Sequence, residues 1–252
     1  MIEEPFSDGH SLIHRLDPRL KVIFAILYSF IVALSSRFPT LFAALGFSLL
    51  LIVLAHLNVQ EVAKRLAVVN GLILFFWVVL PLTFEGKALF YLGPLAVTRE
   101  GVILSAQITL KSNAILLAFI SLIASMSIAT LGHAMNRLYI PDKIVHLFLL
   151  TYRYIFVIDQ EYQRLSRSAK IRSFRPGTNA HTYRTYAYLI GMLFVRASAR
   201  AQRVHQAMLC RGFKGKFYCL REFSMSLFDW TWSVIMAVVI FGLGVLEWIK
   251  IT

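Results

Sequence analysis

Arginine side chains recur in a fixed pattern in the second half of this sequence. The two copies lie 39 residues apart and read Arg172-Ser173-Phe174 and Arg211-Gly212-Phe213. In each copy a Gln-Arg pair precedes the motif, with its arginine eight residues upstream. Because a guanidinium presents a planar fork of N–H donors, it binds carboxylates and phosphates through paired hydrogen bonds. The repeat therefore predicts two similar contacts with a soluble partner.

Residue patterns that support catalysis or cofactor binding are missing from the sequence. It contains no phosphate-binding glycine-rich loop, no His-Glu-x-x-His string and no nucleophile elbow. The seven histidines are scattered and predict no metal site, and the spacing of Cys210 and Cys219 matches no zinc pattern. We therefore expect a non-enzymatic chain that binds no cofactor itself.

The composition is that of an integral membrane protein. Hydrophobic residues make up 58% of the 252 residues, only 15% are charged, and the mean hydropathy is +0.68. The segments long enough, or nearly so, to cross a hydrocarbon core of about 30 Å are residues 20–36, 40–57, 66–84, 112–131 and 232–249. We predict an all-α polytopic membrane protein of the cell membrane with about five transmembrane helices.

Charge divides the sequence into three segments. Residues 1–136 hold four predicted spans, residues 222–252 hold the last one, and residues 137–221 form a basic helical region between them. The basic region contains 16 of the 26 Lys and Arg side chains and only three acidic ones. Since cytoplasmic loops are enriched in Lys and Arg, we predict that the N-terminus and residues 137–221 face the cytoplasm.

Two shorter apolar stretches lie inside the basic region, at residues 144–158 and 183–195, and predict tilted, interfacial or bundle-facing helices. The cations around them also suit anionic lipids, which attract each Lys or Arg by about 1 kcal/mol. For any single arginine, lipid contact is an equal alternative to a protein partner, and Arg137 and Arg184 are assigned to headgroups. No motif that reads RNA or DNA accompanies the charge, so nucleic acid is not a predicted partner.

Asp17, Pro18 and Arg19 mark the start of the first predicted span. Asp before Pro disfavours helix at residue 17, whereas Pro is favourable at the first helical position. We therefore predict that Asp17 is the N-cap of this helix, with its carboxylate toward the free backbone N–H groups. Arg19 and Lys21 are expected at the level of the lipid headgroups.

These strings resemble a known family. Ser-x-x-His-Arg-Leu-Asp-Pro-Arg-x-Lys at residues 11–21 is similar to the start of the transmembrane T components (EcfT/CbiQ family) of energy-coupling factor transporters. Ile-Pro at 140–141, Tyr-Arg-Tyr-Ile-Phe-Val at 152–157 and Glu161 resemble the segment that enters the family's coupling region. The arginine repeat resembles its two Ala-x-x-x-Arg-Gly coupling motifs. The second copy fits from Ala207 to Gly212, whereas the first has Ser168 and Ser173 at the Ala and Gly positions.

The resemblance implies a membrane scaffold that joins two cytoplasmic ATPase subunits to a separate substrate-binding membrane subunit. ATP is then bound and hydrolysed by the ATPases, and this chain transmits their movement. The implied coupling residues are Arg172, Ser173, Phe174, Ala207, Arg211, Gly212 and Phe213. Gly212 is expected either to let another backbone approach closely or to end its helix. In the first copy, Ser173 followed by Pro176-Gly177 is expected to end the helix.

Several alternatives remain open at this point. The string at 152–157 favours the cobalt or nickel branch of the family over the vitamin-type T component. A membrane-embedded enzyme acting on lipid phosphates needs paired acids near a boundary, for which the basic region offers only Asp142, Asp159 and Glu161. A stand-alone channel or carrier usually has ionisable groups inside its spans, and the five predicted spans have none in their interiors.

Overall fold

The structure is a computed structural model that describes residues 11–84, 87–92, 95–214 and 227–248. Within these residues the chain divides into two compact units. One unit contains residues 11–134 and 227–248, and the other contains residues 135–214.

The first unit is built from helices and one short hairpin. Its helices are α1 Leu12–Arg15, α2 Pro18–Leu34, α3 Phe38–Ala55, α4 Val59–Thr83, α5 Arg99–Leu122 and α9 Leu227–Trp248. Strands β1, Ala88–Leu92, and β2, Leu95–Thr98, form an antiparallel hairpin between α4 and α5. Helix α6, Ile128–Arg137, begins in this unit and ends in the other.

Four of the described helices, α3, α4, α5 and α9, are long and apolar enough to cross a membrane. Helix α2 has 17 residues, at the lower end of the usual range of about 17–25 residues. These helices confirm the prediction of a helical, multi-pass membrane protein. The β1–β2 hairpin was not predicted.

The fourth predicted span, residues 112–131, was placed wrongly. Helix α5 begins at Arg99 and ends at Leu122, and Ser127 then caps α6 by accepting a hydrogen bond from the N–H of Thr130 at 3.2 Å. The prediction missed the start of α5 because Lys111 interrupts the charge-free apolar run from which the span was read. The polar groups near this point bond within the unit, since Gln107 and Lys111 donate to the Ser36 and Ala33 carbonyls at the end of α2.

Helix α5 lies at the centre of the first unit and packs against α2, α3 and α4. Small buried residues such as Ala114, Ala118 and Ala44 let the helix backbones approach closely. The tightest approach is at Gly101, where an added Cβ would lie 2.7 Å from the Leu80 carbonyl oxygen. The core therefore depends on close contact of helix backbones, as is usual in membrane bundles.

The second unit contains two long helices, α7, Asp142–Ile171, and α8, Ala180–Cys210. The two short apolar stretches of the sequence lie inside these helices. The helices run antiparallel, because Phe174, just after the end of α7, contacts Tyr186 near the start of α8, whereas Glu161 contacts Arg196 further along. Large apolar side chains, Leu147 and Phe194 among them, are exposed on the pair.

Candidate functional site

Arg172 closes α7 with a specific hydrogen-bond pattern. The backbone N–H of Phe174 donates to the Ala169 carbonyl at 3.1 Å, and that of Ser173 donates to the Lys170 carbonyl at 3.0 Å. These two bonds form a Schellman motif, which satisfies carbonyls that have no partner within the helix. Arg172 is thereby fixed as the last, partly helical residue.

Arg211 closes α8 in the same way. The backbone N–H of Phe213 donates to the Met208 carbonyl at 3.0 Å, and that of Gly212 donates to the Leu209 carbonyl at 2.9 Å. Arg211 holds the position that Arg172 holds in α7, with similar backbone angles: φ is −88° and ψ 11° at Arg211, and φ is −82° and ψ 25° at Arg172. The repeat in the sequence is therefore a repeat in three dimensions, a helix end that presents an arginine.

The residue after each arginine adopts left-handed backbone angles. The φ angle is +64° at Ser173 and +77° at Gly212. A residue with a Cβ atom pays roughly 1–2 kcal/mol for this conformation, and glycine does not. The first copy thus departs from the family pattern in sequence but keeps the backbone geometry of the second.

Both arginine side chains are exposed. In the part of the chain that the structure describes, no carboxylate lies within 4.0 Å of either guanidinium. Ala207, one turn before Arg211, is also exposed and places only a methyl group beside it. The two guanidinium groups are therefore available to carboxylates of another molecule.

Phe174 anchors the first motif to α8. Its ring lies 5.7 Å from that of Tyr186 and 6.2 Å from that of His181, both in edge-on arrangements. A groove of about 520 Å³ between the two helices begins at Arg172 and Ser173 and continues along α8. In the second motif Phe213 is half-buried.

Glu161 joins α7 to α8 through arginine side chains. It accepts a hydrogen bond from Arg196 and lies 4.0 Å from Arg200, both on α8, and 3.8 Å from Arg164 on its own helix. The hydrogen bond from Arg196, together with the charges of all three arginines, lowers the pKa of the Glu161 carboxyl below its ordinary value. Glu161 is therefore ionised at neutral pH, and it partly neutralises the middle of the helix pair.

The structure places Asp17 at the N-cap of α2, with Pro18 at the first helical position. The Asp17 carboxylate accepts a hydrogen bond from the backbone N–H of Arg19 at 2.9 Å. The backbone N–H of Asp17 in turn donates to the Asp229 carboxylate at 3.0 Å, and this bond is buried. The start of α9 is thus fastened to the start of α2.

The sequence had led us to expect that the Lys21 side chain reaches the surface, and it does not. Its side chain is only 3% exposed and interacts electrostatically with Asp17 and Asp229. A buried ammonium needs compensating carboxylates nearby, and the Asp229 carboxylate comes from the other end of the sequence. The expectation failed because this carboxylate, 208 residues away, could not be placed from the local pattern.

Sequence reasoning also missed the roles of Asp229 and Glu161. Asp229 lies in the first turn of α9, just before the apolar segment that marked the last span. Glu161 was noted as part of the family string and as one of three acids of the basic region, but not as a contact between helices. One signal was present, because position 200 is the repeat equivalent of 161 and carries the opposite charge.

Comparisons with known proteins agree with one another. Residues 9–219 match the model of the family CbiQ, described as cobalt transport protein. The energy-coupling factor transporter transmembrane protein EcfT of Brevibacillus brevis is 26% identical over 251 residues, covering 95% of this chain and 94% of the relative. The protein of the same name from Bacillus subtilis is 27% identical over 227 residues, covering 85% of each chain. That from Streptococcus equi is 28% identical over 222 residues, covering 82% of this chain and 81% of the relative.

Proposed function

Since the chain belongs to the CbiQ family, we propose that it couples ATP hydrolysis on partner subunits to import through a separate substrate-binding subunit. It is a multi-pass T component of an energy-coupling factor transporter, and it is not itself a catalyst. The coupling of ATP hydrolysis to import depends on two arginines. Arg172 and Arg211 each dock in one of two cytoplasmic ATPase subunits, which bind the ATP.

One observation carries this proposal. Two helices end in the same Schellman motif, and each presents an exposed arginine at the same position. A fixed backbone is a suitable platform for a docking group, because little backbone freedom is lost on binding. Two equivalent platforms suit two copies of one partner.

The chemistry of the contact follows from the guanidinium group. Its planar fork matches a carboxylate with two hydrogen bonds, which an ammonium group cannot reproduce. The partner surface is therefore an acidic groove that receives the arginine and the left-handed residue beside it. Phe174 and Phe213 are half-buried at the base of the two motifs. They add apolar contact at the edge of the partner's acidic groove.

The orientation that this function requires is the one predicted from charge. The N-terminus and the basic region face the cytoplasm, where the ATPases are. The remaining cations, among them the exposed Arg137 and Arg184, contact anionic lipid headgroups. Movement of the docked ATPases is then passed along α7 and α8 to the membrane-embedded subunits.

For the transported substrate we propose cobalt or nickel. The description of the matching family as cobalt transport protein supports this choice, as does the string at 152–157. The alternative is a vitamin-type importer. Uptake of radioactive cobalt by cells that carry the complete transporter, with and without this chain, decides between them.

The coupling role is tested by replacing both arginines. Arg172→Ala/Arg211→Ala, co-expressed with the ATPase subunits, is expected to lose co-purification of the ATPases and ATP-driven uptake while still inserting in the membrane. Removing one member of a buried, hydrogen-bonded charge pair typically costs about 2–5 kcal/mol, so losing both contacts leaves little binding.

A matched control separates docking from summed charge. Arg137→Ala/Arg184→Ala removes the same charge from two exposed positions of the same basic region. We expect this variant to keep ATPase association and uptake near wild type. If the two double variants are equally defective, the basic region acts through its overall charge at the lipid surface, and the specific docking role is wrong.

A further inference from the structure

Glu161 is surrounded by arginines from both long helices. Its side chain is 14% exposed, whereas the arginines that cover it are 44–71% exposed. Among the described residues of this unit, Glu161 is the only acidic side chain in an ion pair with α8. The carboxylate therefore sits inside the crossing of the helices and holds their cations together.

The contact between Glu161 and α8 lies at the same number of residues from each arginine motif. Arg172 follows Glu161 by eleven residues on α7, and Arg211 follows Arg200 by eleven residues on α8. At a rise of 1.5 Å per helical residue, each motif lies about 16 Å from the crossing. Because the helices are antiparallel, the two motifs project in opposite directions from this point.

We propose that Glu161 is a positioning residue that sets the separation and direction of the two arginine motifs. It acts by holding Arg196 and Arg200 of α8 against α7. This inference rests on the proposed coupling function, since two docked ATPases require two motifs at a defined distance. It goes further in naming the group that fixes the distance.

The electrostatics explain why loss of the carboxylate is not neutral. Without Glu161, the three guanidinium groups that now share it face one another across the helix pair. Like charges at this range repel, and few buried apolar contacts oppose the repulsion, because only Val145 and Thr182 are buried along α7 and α8. The helices are then expected to splay, and the motifs to lose their fixed separation.

The experiment measures the distance between the helix ends directly. Ile171 and Cys210 are exposed and equivalent in the repeat, so spin labels at Ile171→Cys and at the native Cys210, with Cys219→Ser, report it by pulsed electron paramagnetic resonance. The full chain is studied in lipid nanodiscs without ATPases. We expect a narrow distance distribution in the wild-type background and a broad one with Glu161→Gln.

Two further variants test whether loss of the Glu161 ion pairs causes the broadening of the distance distribution. Asp159→Asn removes an acid of the same helix whose hydrogen bonding, among the described residues, stays within α7, where it accepts from Gln163. This variant should leave the distribution narrow. The exchange Glu161→Arg/Arg196→Glu should restore a narrow distribution. A narrow distribution in Glu161→Gln, or a broad one in the exchange variant, overturns the proposal. If Glu161→Gln does not insert stably, the exchange variant alone decides, on the same criterion.

The distance measurement is independent of the test of ATPase docking. The distance is measured without ATPases, so it stands whether or not Arg172→Ala/Arg211→Ala releases them. In the complete transporter, Glu161→Gln should lose uptake while retaining more bound ATPase than the double arginine variant, because both docking groups are still present. Full uptake with a broadened distribution would show that the fixed separation is not needed, and would also overturn the proposal.

Discussion

Glu161 of α7 and Arg200 of α8 occupy equivalent positions of the 39-residue repeat and lie 4.0 Å apart. In an antiparallel pair of similar helices, equivalent residues meet only close to the approximate two-fold axis that relates the helices. The two arginine motifs therefore lie on either side of this axis. A local two-fold relation in one chain suits contact with two copies of one partner, since each copy meets the same helix end.

The predicted orientation is open to a direct labelling test. Native Cys210 is exposed beside Arg211. With Cys219→Ser and without ATPase subunits, Cys210 should resist membrane-impermeant thiol reagents in intact cells and react after permeabilisation. Lys87→Cys in a background lacking both native cysteines should react in intact cells, because Lys87 is exposed on the opposite side of the predicted topology. Labelling of Cys210 from outside would reverse the orientation and exclude ATPase docking.

The left-handed residue of the second motif predicts a local change in stability. Gly212→Ala should weaken the end of α8 by roughly 1 kcal/mol through backbone strain alone, because an added Cβ meets nothing within 4 Å. Faster amide hydrogen exchange at Gly212 and Phe213 would report it. Gly191→Ala, in the same helix and equally open, is the control and should slow exchange, since alanine favours helix. The same sign in both variants would contradict this account.

The geometry of the arginine fork predicts that charge alone does not restore docking. Arg172→Lys/Arg211→Lys keeps both positive charges but loses paired hydrogen bonding. We expect binding of the ATPases to be weaker than wild type and stronger than in the double alanine variant, as measured by titration of purified ATPase against nanodiscs. Wild-type affinity in the lysine variant would mean that the partner reads charge and not the fork.

The helix ends were predictable from sequence, and the contacts between helices were not. The local signals are Gly212 in one copy and Ser173 followed by Pro176-Gly177 in the other, so the ends of α7 and α8 fall where they were expected. Glu161 is separated from Arg196 by 35 residues, and Asp17 from Asp229 by 212. Such pairs depend on how helices pack, which a periodic pattern does not contain.

The search for apolar runs without charge failed where polar residues of a span bond to neighbouring helices. The middle of α5 carries Gln107, Lys111 and Asn113, and the lysine interrupts the apolar run from which the span was predicted. In the structure Asn113 donates to Asn70 of α4 at 3.0 Å, and the other two hold the end of α2. Inside a membrane such groups are satisfied by neighbouring helices, so a span can be polar where it is covered.

The buried charges at the start of α2 predict a non-additive result. Asp17→Ala should cost about 0.5–2 kcal/mol as a lost N-cap, whereas Asp17→Asn keeps an acceptor for Arg19 and should cost less. Asp17→Asn/Asp229→Asn leaves Lys21 buried without a counter-charge and should cost about 3–5 kcal/mol. Thermal unfolding in detergent measures these changes. Lys21→Met should recover much of the loss in the double variant, and no recovery would contradict the charge argument.

Acid should release the crossing of α7 and α8 only below the ordinary pKa of a glutamate. The pKa of Glu161 is lowered from 4.5 by the hydrogen bond from Arg196 and by the charges of Arg164, Arg196 and Arg200. A group whose pKa is depressed in the folded protein stabilises it fully above the unfolded value and loses that contribution as the pH falls through the folded value. The distance distribution between labels at residues 171 and 210 should therefore stay narrow from neutral pH to about 5 and broaden below about 4.5.

The matched control for this titration is Glu161→Gln, which has no carboxyl to protonate at that position. Its distribution should be broad at every pH and should not change across the same interval. Asp159, two residues earlier, remains in both proteins, so the carboxylates of the two proteins differ only at residue 161. A transition in the wild-type background with its midpoint between pH 5 and 7 would require a carboxyl pKa above its ordinary value, whereas the pKa of Glu161 is lowered. That result would contradict the assignment of the crossing to Glu161.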